Sequence, residues 1–127
     1  MKLGVNTVLF KGVDVKTAMK AIKAAGYDGV ELSAIQGMCE HLVLDAWETQ
    51  APLIKAAARE AGVELLSMEA ATLDEERLTK AFKAAQYLGI PVVNVGPGGK
   101  SDIEEDIVNS INTLKARAEL AAQYGVK

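Results

Sequence analysis

Helical and extended rhythms alternate along this chain, and the switch between them repeats. Val15, Ala18, Met19, Ile22 and Ala25 recur at the spacing of one helix face. Leu78, Ala81, Phe82, Ala85 and Leu88 do the same further on, and Ile103, Ile107, Ile111, Leu114, Ala118 and Ala121 line a third such face. A less regular helix lies within 46–61, where Pro52 is expected to start or kink it because an interior proline lacks the backbone donor. Between these segments stand nearly continuous apolar runs, LGV, LSAI, LLSM and PVVNV, which suit strands covered on both faces. Strand starts fall near Leu3, Val30, Val63 and Val92.

The junctions share one grammar. AAGYDGVELSAI (24–35), EAGVELLSME (60–69), YLGIPVVNVG (87–96) and QYGVK (123–127) each end a helix in Gly and begin a β-branched run. Gly26, Gly62, Gly89 and Gly125 stand where a helix closes in a left-handed cap. At the helix starts, Thr72 with Glu75 and Ser101 with Glu104 have capping-box spacing. The period of about thirty residues is that of a βα unit, so the expected fold is α/β with four βα units and a parallel sheet. The closing Gly125-Val126-Lys127 repeats the phrase that opens a strand. Four units are half of a (β/α)8 barrel, which takes about 250 residues. The expectation is one half-barrel domain, 1–127, the N-terminal half of a TIM barrel with its fifth strand only begun at 126–127. The alternative is a complete open sheet whose last residues fray. A half-barrel leaves two unpaired edges, and a second copy across a two-fold axis would complete it, so a homodimer is the expected assembly.

Composition narrows the partners. Half the chain is apolar, charged residues make up 24 %, and the net charge is −3, which offers no attraction to nucleic acid or an anionic membrane. No apolar stretch approaches a membrane span. Cys39 is the only cysteine, which excludes an internal disulfide and suits a reducing cytoplasm.

Candidate chemistry sits late in each strand. Asn6, Glu31, Ser67 with Glu69, and Asn94 interrupt runs that are otherwise apolar. A polar side chain facing inward needs a partner. That partner is either a substrate in the barrel mouth or another member of the set, with Glu31 the first case for mutual pairing. His41, the sole histidine, lies in the loop after the second strand, where barrel active sites are built; it reads as a substrate contact, a partial metal ligand or a locally bonded loop residue. NVGPGGKS at 94–101 approaches a phosphate-binding loop, but Asn94 stands at its first glycine position and Asp102, Glu104, Glu105 and Asp106 crowd the following turn. Gly96 and its neighbours remain candidates for close backbone approach to a sugar or a single phosphate, with Lys100 assisting.

MKLGVNT at the start, AAGYDGVELSA at the second strand, AAREAGVELLSM before the third and the long helix ending in AELAAQYGV together resemble the xylose isomerase-like TIM barrels, the sugar isomerase, epimerase and AP-endonuclease-type superfamily. The resemblance implies a metal-dependent isomerase or epimerase acting on a sugar or sugar phosphate, in which carboxylates move a proton beside a carbonyl and a divalent Mn, Mg or Co ion polarises the substrate oxygens. It also implies that most catalytic ligands come from strands five to eight. This chain is then expected to supply substrate-binding loops, to lack assigned catalytic and metal residues, and to be inactive alone. The DNA-repair branch places His at early strand ends, whereas here these read Ser67-Met68-Glu69 and Val95-Gly96-Pro97. Two other readings stand beside this one: a truncated or engineered non-catalytic half-barrel that self-associates, and a small phosphate-binding α/β protein using 96–101.

Overall fold

A computed structural model describes all 127 residues. Four parallel strands, β1 (Gly4–Asn6), β2 (Gly29–Ile35), β4 (Glu64–Glu69) and β5 (Val93–Asn94), lie side by side in that order. Each is followed by a helix: α1 (Val15–Ala24), α2 (Trp47–Ala61), α3 (Glu75–Leu88) and α4 (Glu104–Ala122). The short β3 (Cys39–Glu40) folds back antiparallel on the end of β2. The four expected βα units are thus present, in sequential order.

One face of the strands points to the helices. Val30, Leu32, Ala34 and Met68 are fully buried there against Met19, Ile22, Ile54, Leu78 and Phe82. The predicted face of the third helix is buried throughout; that of the first is buried at Ala18, Met19 and Ile22, while Ala25 is the exposed C-cap. Gly62 and Gly89 take left-handed conformations at their helix ends, φ 73° and 77°, and their amides return to the last turn. Gly26 and Gly125 also have positive φ.

One open alternative closes, since Pro52 does not start its helix, and two local expectations are corrected. Pro52 lies inside α2, which begins at Trp47 after a short 3-10 turn; the proline forfeits one backbone bond in a helix held by its buried face, Ala51, Ile54, Ala57 and Ala58. The cap of α3 is Asp74, whose carboxylate accepts from the Arg77 amide, while Thr72 accepts from the Asp74 amide. The cap of α4 is Ile103, without a side-chain bond, and Ser101 belongs to a turn before it.

Between Val30 and Glu31 the register with β4 shifts, so that Leu65 faces Val30 and Ser67 faces Glu31. Leu66 is the extra residue of this bulge. Its side chain lies over Gly4 and Gly29, where any added Cβ would come within 2.7 and 2.6 Å of it. These two strand glycines form a floor for one leucine inside the curve of the sheet.

The far edge is partly paired. The Lys127 amide donates to the Pro91 carbonyl and its carbonyl accepts from the Val93 amide, a parallel rung, and Val126 is buried. Beside that edge α4 is held mainly at its C-terminal end, through Ala121, the Phe82–Tyr124 ring pair and Arg117, which donates to the Leu73 carbonyl and pairs with Glu75. The rest of its apolar stripe is uncovered, with Ile107 43 % and Ile111 47 % exposed.

Candidate functional site

The side chains opposite the helix face converge at the C-terminal ends of the strands. Register places Asn6 beside Glu31, Glu31 beside Ser67, and Glu69 beside Asn94. Their polar atoms meet. Asn6 Nδ2 donates to Glu31 Oε2 at 2.8 Å and also to Glu69 Oε2. Ser67 Oγ donates to Glu31 Oε1 at 2.9 Å, and Asn94 Nδ2 donates to the same oxygen. Asn6 cannot turn its amide over, because its Oδ1 accepts from the Val8 amide and so starts the 3-10 turn Thr7–Phe10.

The two carboxylates of this ring differ. Both oxygens of Glu31 are engaged, by donors from three other strands. Glu69 has a single partner, Asn6, and stands one step nearer the mouth. The ring is half-buried rather than sealed, so water or a ligand reaches it. The two uses expected for these residues therefore separate by position: Glu31 organises the group, and Glu69 keeps acceptor capacity for a ligand.

Gly96 follows β5 with open space around its Cα, in the loop that resembled a phosphate cradle. That loop is already occupied by a carboxylate. Asp106 Oδ2 accepts from the Lys100 amide at 2.8 Å, a Cβ on Gly99 would come within 2.7 Å of the Asp106 side chain, and Ser110 donates to the Gly98 carbonyl. Asp106 thus sits where an anion would, which argues against the phosphate-binding reading.

His41 makes no bond to the ring. It lines a shallow cleft of about 560 Å³ between the loop 11–15 and the turn 38–41, also at the C-terminal ends of the strands. Its Nε2 lies 2.8 Å from the Val13 carbonyl and its Nδ1 lies 3.6 Å from Cys39 Sγ. Buried Ser33 donates to the Cys39 carbonyl and accepts nothing from His41; its amide donates to Thr7. Asp14 in the same cleft caps α1, and the Thr17 hydroxyl and amide hold its carboxyl below the ordinary range. Residues two apart on extended backbone share a side, which brings Cys39 and His41 together.

The divalent ion implied by family resemblance can be tested against this donor set. Mn and Mg favour oxygen ligands, and two carboxylates are present, but both oxygens of Glu31 already accept hydrogen bonds and no three His, Cys, Asp or Glu side chains come together. The ring does not by itself fit such an ion.

The family model for the xylose isomerase-like TIM barrel matches residues 19–127, and the chain belongs to that family. No curated protein matches it. Among solved structures it is similar to D-allulose 3-epimerase from Methylomonas sp., at 20 % identity and a TM-score of 0.70, covering 100 % of this chain and 50 % of that one. It is similar to 3-keto-D-glucoside 4-epimerase from E. coli at 16 % identity and TM-score 0.70, covering 99 % and 54 %. It is also similar to the IOLI protein with a binding zinc atom, at 19 % identity and TM-score 0.72, covering 100 % and 50 %. The chain therefore spans about half the length of these structures, and its fold is that of half a (β/α)8 barrel. No helix is long and apolar enough to cross a membrane.

Proposed function

We propose that this half-barrel forms the sugar-binding wall of an isomerase or epimerase, with Asn6, Glu31, Ser67, Glu69 and Asn94 facing the substrate hydroxyls and Gly96 at the rim. The observation that carries the reading is the strand-end ring itself. Four strands deliver amide, hydroxyl and carboxylate groups to one point, on the side of the sheet where barrel ligands bind. Sugars present alternating donors and acceptors, which such a set matches. Similar proteins named as sugar epimerases support the substrate class. The proton transfer of an isomerase is assigned to none of these residues, and neither is a metal; the 127-residue chain alone is expected to bind without turnover. The lone cysteine fits a cytoplasmic setting.

The test is a titration of a ketohexose into the isotopically labelled chain, followed by amide and side-chain NMR. Shifts should cluster at Asn6, Ser67, Glu69 and Asn94. Glu69→Gln should weaken binding by about tenfold, the equivalent of one charged hydrogen bond, with an unchanged unfolding midpoint. Saturating sugar that leaves the Asn6 and Asn94 side-chain amides unmoved would remove the reading.

The assembly follows from the uncovered surfaces. We propose that a second copy covers the α4 stripe and the strand edges, because the stripe of Ile107, Val108 and Ile111 is exposed beside a sheet edge that is only partly paired, and similar structures continue for as long again. Sedimentation of the chain should give a dimer, and Ile107→Lys with Ile111→Lys should give a monomer with the same far-UV spectrum. A wild-type monomer at high micromolar concentration would refute this assembly.

A further inference from the structure

We infer that β1 of a second copy docks in parallel against β5, so that the partner's Leu3 and Val5 fill the groove between β5 and α4 and the partner's Asn6 closes the mouth beside Gly96. This register rests on the two-copy assembly and on the ring as a sugar-binding wall, and it makes the site a shared one. The groove holds about 250 Å³ and is apolar on six of its eight lining residues, among them Phe82, Val93, Val95 and Leu114. The strand that suits it is β1. Gly4 and Asn6 face the inside of the sheet, where Leu66 and the ring lie, so Leu3 and Val5 face the helix layer. Leu3 is 59 % exposed, and β1 has a neighbouring strand on one side only.

The strand register fixes the fit. Asn6 is level with Glu31, Glu31 with Ser67, and Met68 with Val93, which puts Ser67 level with Val92. A closed eight-stranded barrel has a shear of about eight residues, so each half of a two-fold pair advances by about four. That step from Asn6 sets the partner's Lys2 level with Val92, the partner's Leu3 with Val93 and the partner's Val5 with Val95. The opposite step would bring Phe10, in the 3-10 turn, to Val92 and leave no strand to pair. The rung at Val92 is already built in the single chain, where Lys127 donates to Pro91 and accepts from Val93. The partner's Lys2 takes over both bonds, and the partner's Met1, exposed in the single chain, replaces buried Val126 as 126–127 move aside. Gly96, with open space around its Cα, then stands level with the partner's Asn6. The two rings thus line one mouth, and a sugar bound to one ring is enclosed by the other.

Lys2→Cys combined with Val92→Cys in the full chain tests the register. Within one chain β2 and β4 separate the two positions, so a disulfide between them joins two copies. Level residues on neighbouring strands stand about 4.8 Å apart, within the reach of a disulfide, and the native Cys39 is buried. Mild oxidation should convert most of the double variant to a covalent dimer, while each single variant stays largely uncrosslinked. A chain that sediments as a dimer but does not form this disulfide overturns the register and leaves the two-copy assembly standing; a chain that sediments as a monomer overturns both. Should the double variant unfold, the unaltered chain decides. In a mixture of carbon-13-labelled and unlabelled copies, the Leu3 methyls of one copy should show nuclear Overhauser contacts to the Val95 methyls of the other, and a dimer without those contacts overturns the inference.

Discussion

Gly29→Val is expected to lower stability by about 4 kcal/mol, and Gly29→Ala by about 3 kcal/mol, at the upper end of overpacking effects. The reason is contact, since the backbone at Gly29 lies outside the left-handed region. A Cβ there would stand 2.6 Å from both the Glu64 carbonyl oxygen and Leu66 Cγ. The leucine could turn away, but the carbonyl belongs to β4 and moves only with the strand. Leu66→Ala should therefore rescue Gly29→Ala only in part. Gly4 provides the contrast. Its closest obstacle is Leu66 Cδ1 at 2.7 Å, the far end of a flexible side chain. Gly4→Ala should cost about 1 kcal/mol and be nearly restored by Leu66→Ala. Urea unfolding followed by circular dichroism measures the three single-variant costs and the two rescues. A Gly29→Ala chain as stable as its parent would mean that β2 and β4 are not held at this spacing.

The same pair of strands shows what was legible in the chain and what was not. The helix faces and the closing glycines could be read, because they depend on periodicity and on the local steric freedom of one residue. The bulge at Leu66 could not, because its side chain lies over two glycines on neighbouring strands that are 37 and 62 residues from it in the chain. Without the bulge, Leu66 rather than Ser67 would face Glu31, and the ring would lose a donor. The polar interruptions Asn6, Glu31, Ser67, Glu69 and Asn94 were therefore visible, but the choice of Glu31 as their meeting point needed the register. Capping was legible in kind but not in place. Asp74 outcompetes Thr72, and Asp106, two residues inside α4, is drawn back to the Lys100 amide, leaving Ser101 in a turn. The period of the α4 stripe shows one apolar face; what covers such a face is a property of the neighbour and not of the helix.

The register also makes Glu31 the ring residue whose loss should be felt most. Glu31→Ala leaves Asn6, Ser67 and Asn94 without their shared acceptor and is expected to cost about 2–3 kcal/mol, less than three charged hydrogen bonds because water reaches the half-buried ring. Glu31→Gln should cost less than the alanine variant, about 1 kcal/mol, because charge-assisted bonds become neutral ones. A glutamine offers one acceptor and one donor end. Its oxygen must face Asn6 Nδ2, and its NH2 then meets Ser67 Oγ and the exposed Asn94 amide, both of which can turn to accept it. Asn6 cannot answer by flipping, since the Val8 amide holds its Oδ1. At Glu69 the same isosteric change meets only Asn6, so Glu69→Gln should unfold at the parent's midpoint while binding sugar less well. The two glutamine variants thus separate an organising carboxylate from a ligand-facing one. If Glu31→Gln matches the parent in stability and Glu69→Gln does not, the roles are reversed, and the acceptor that orders this ring is Glu69.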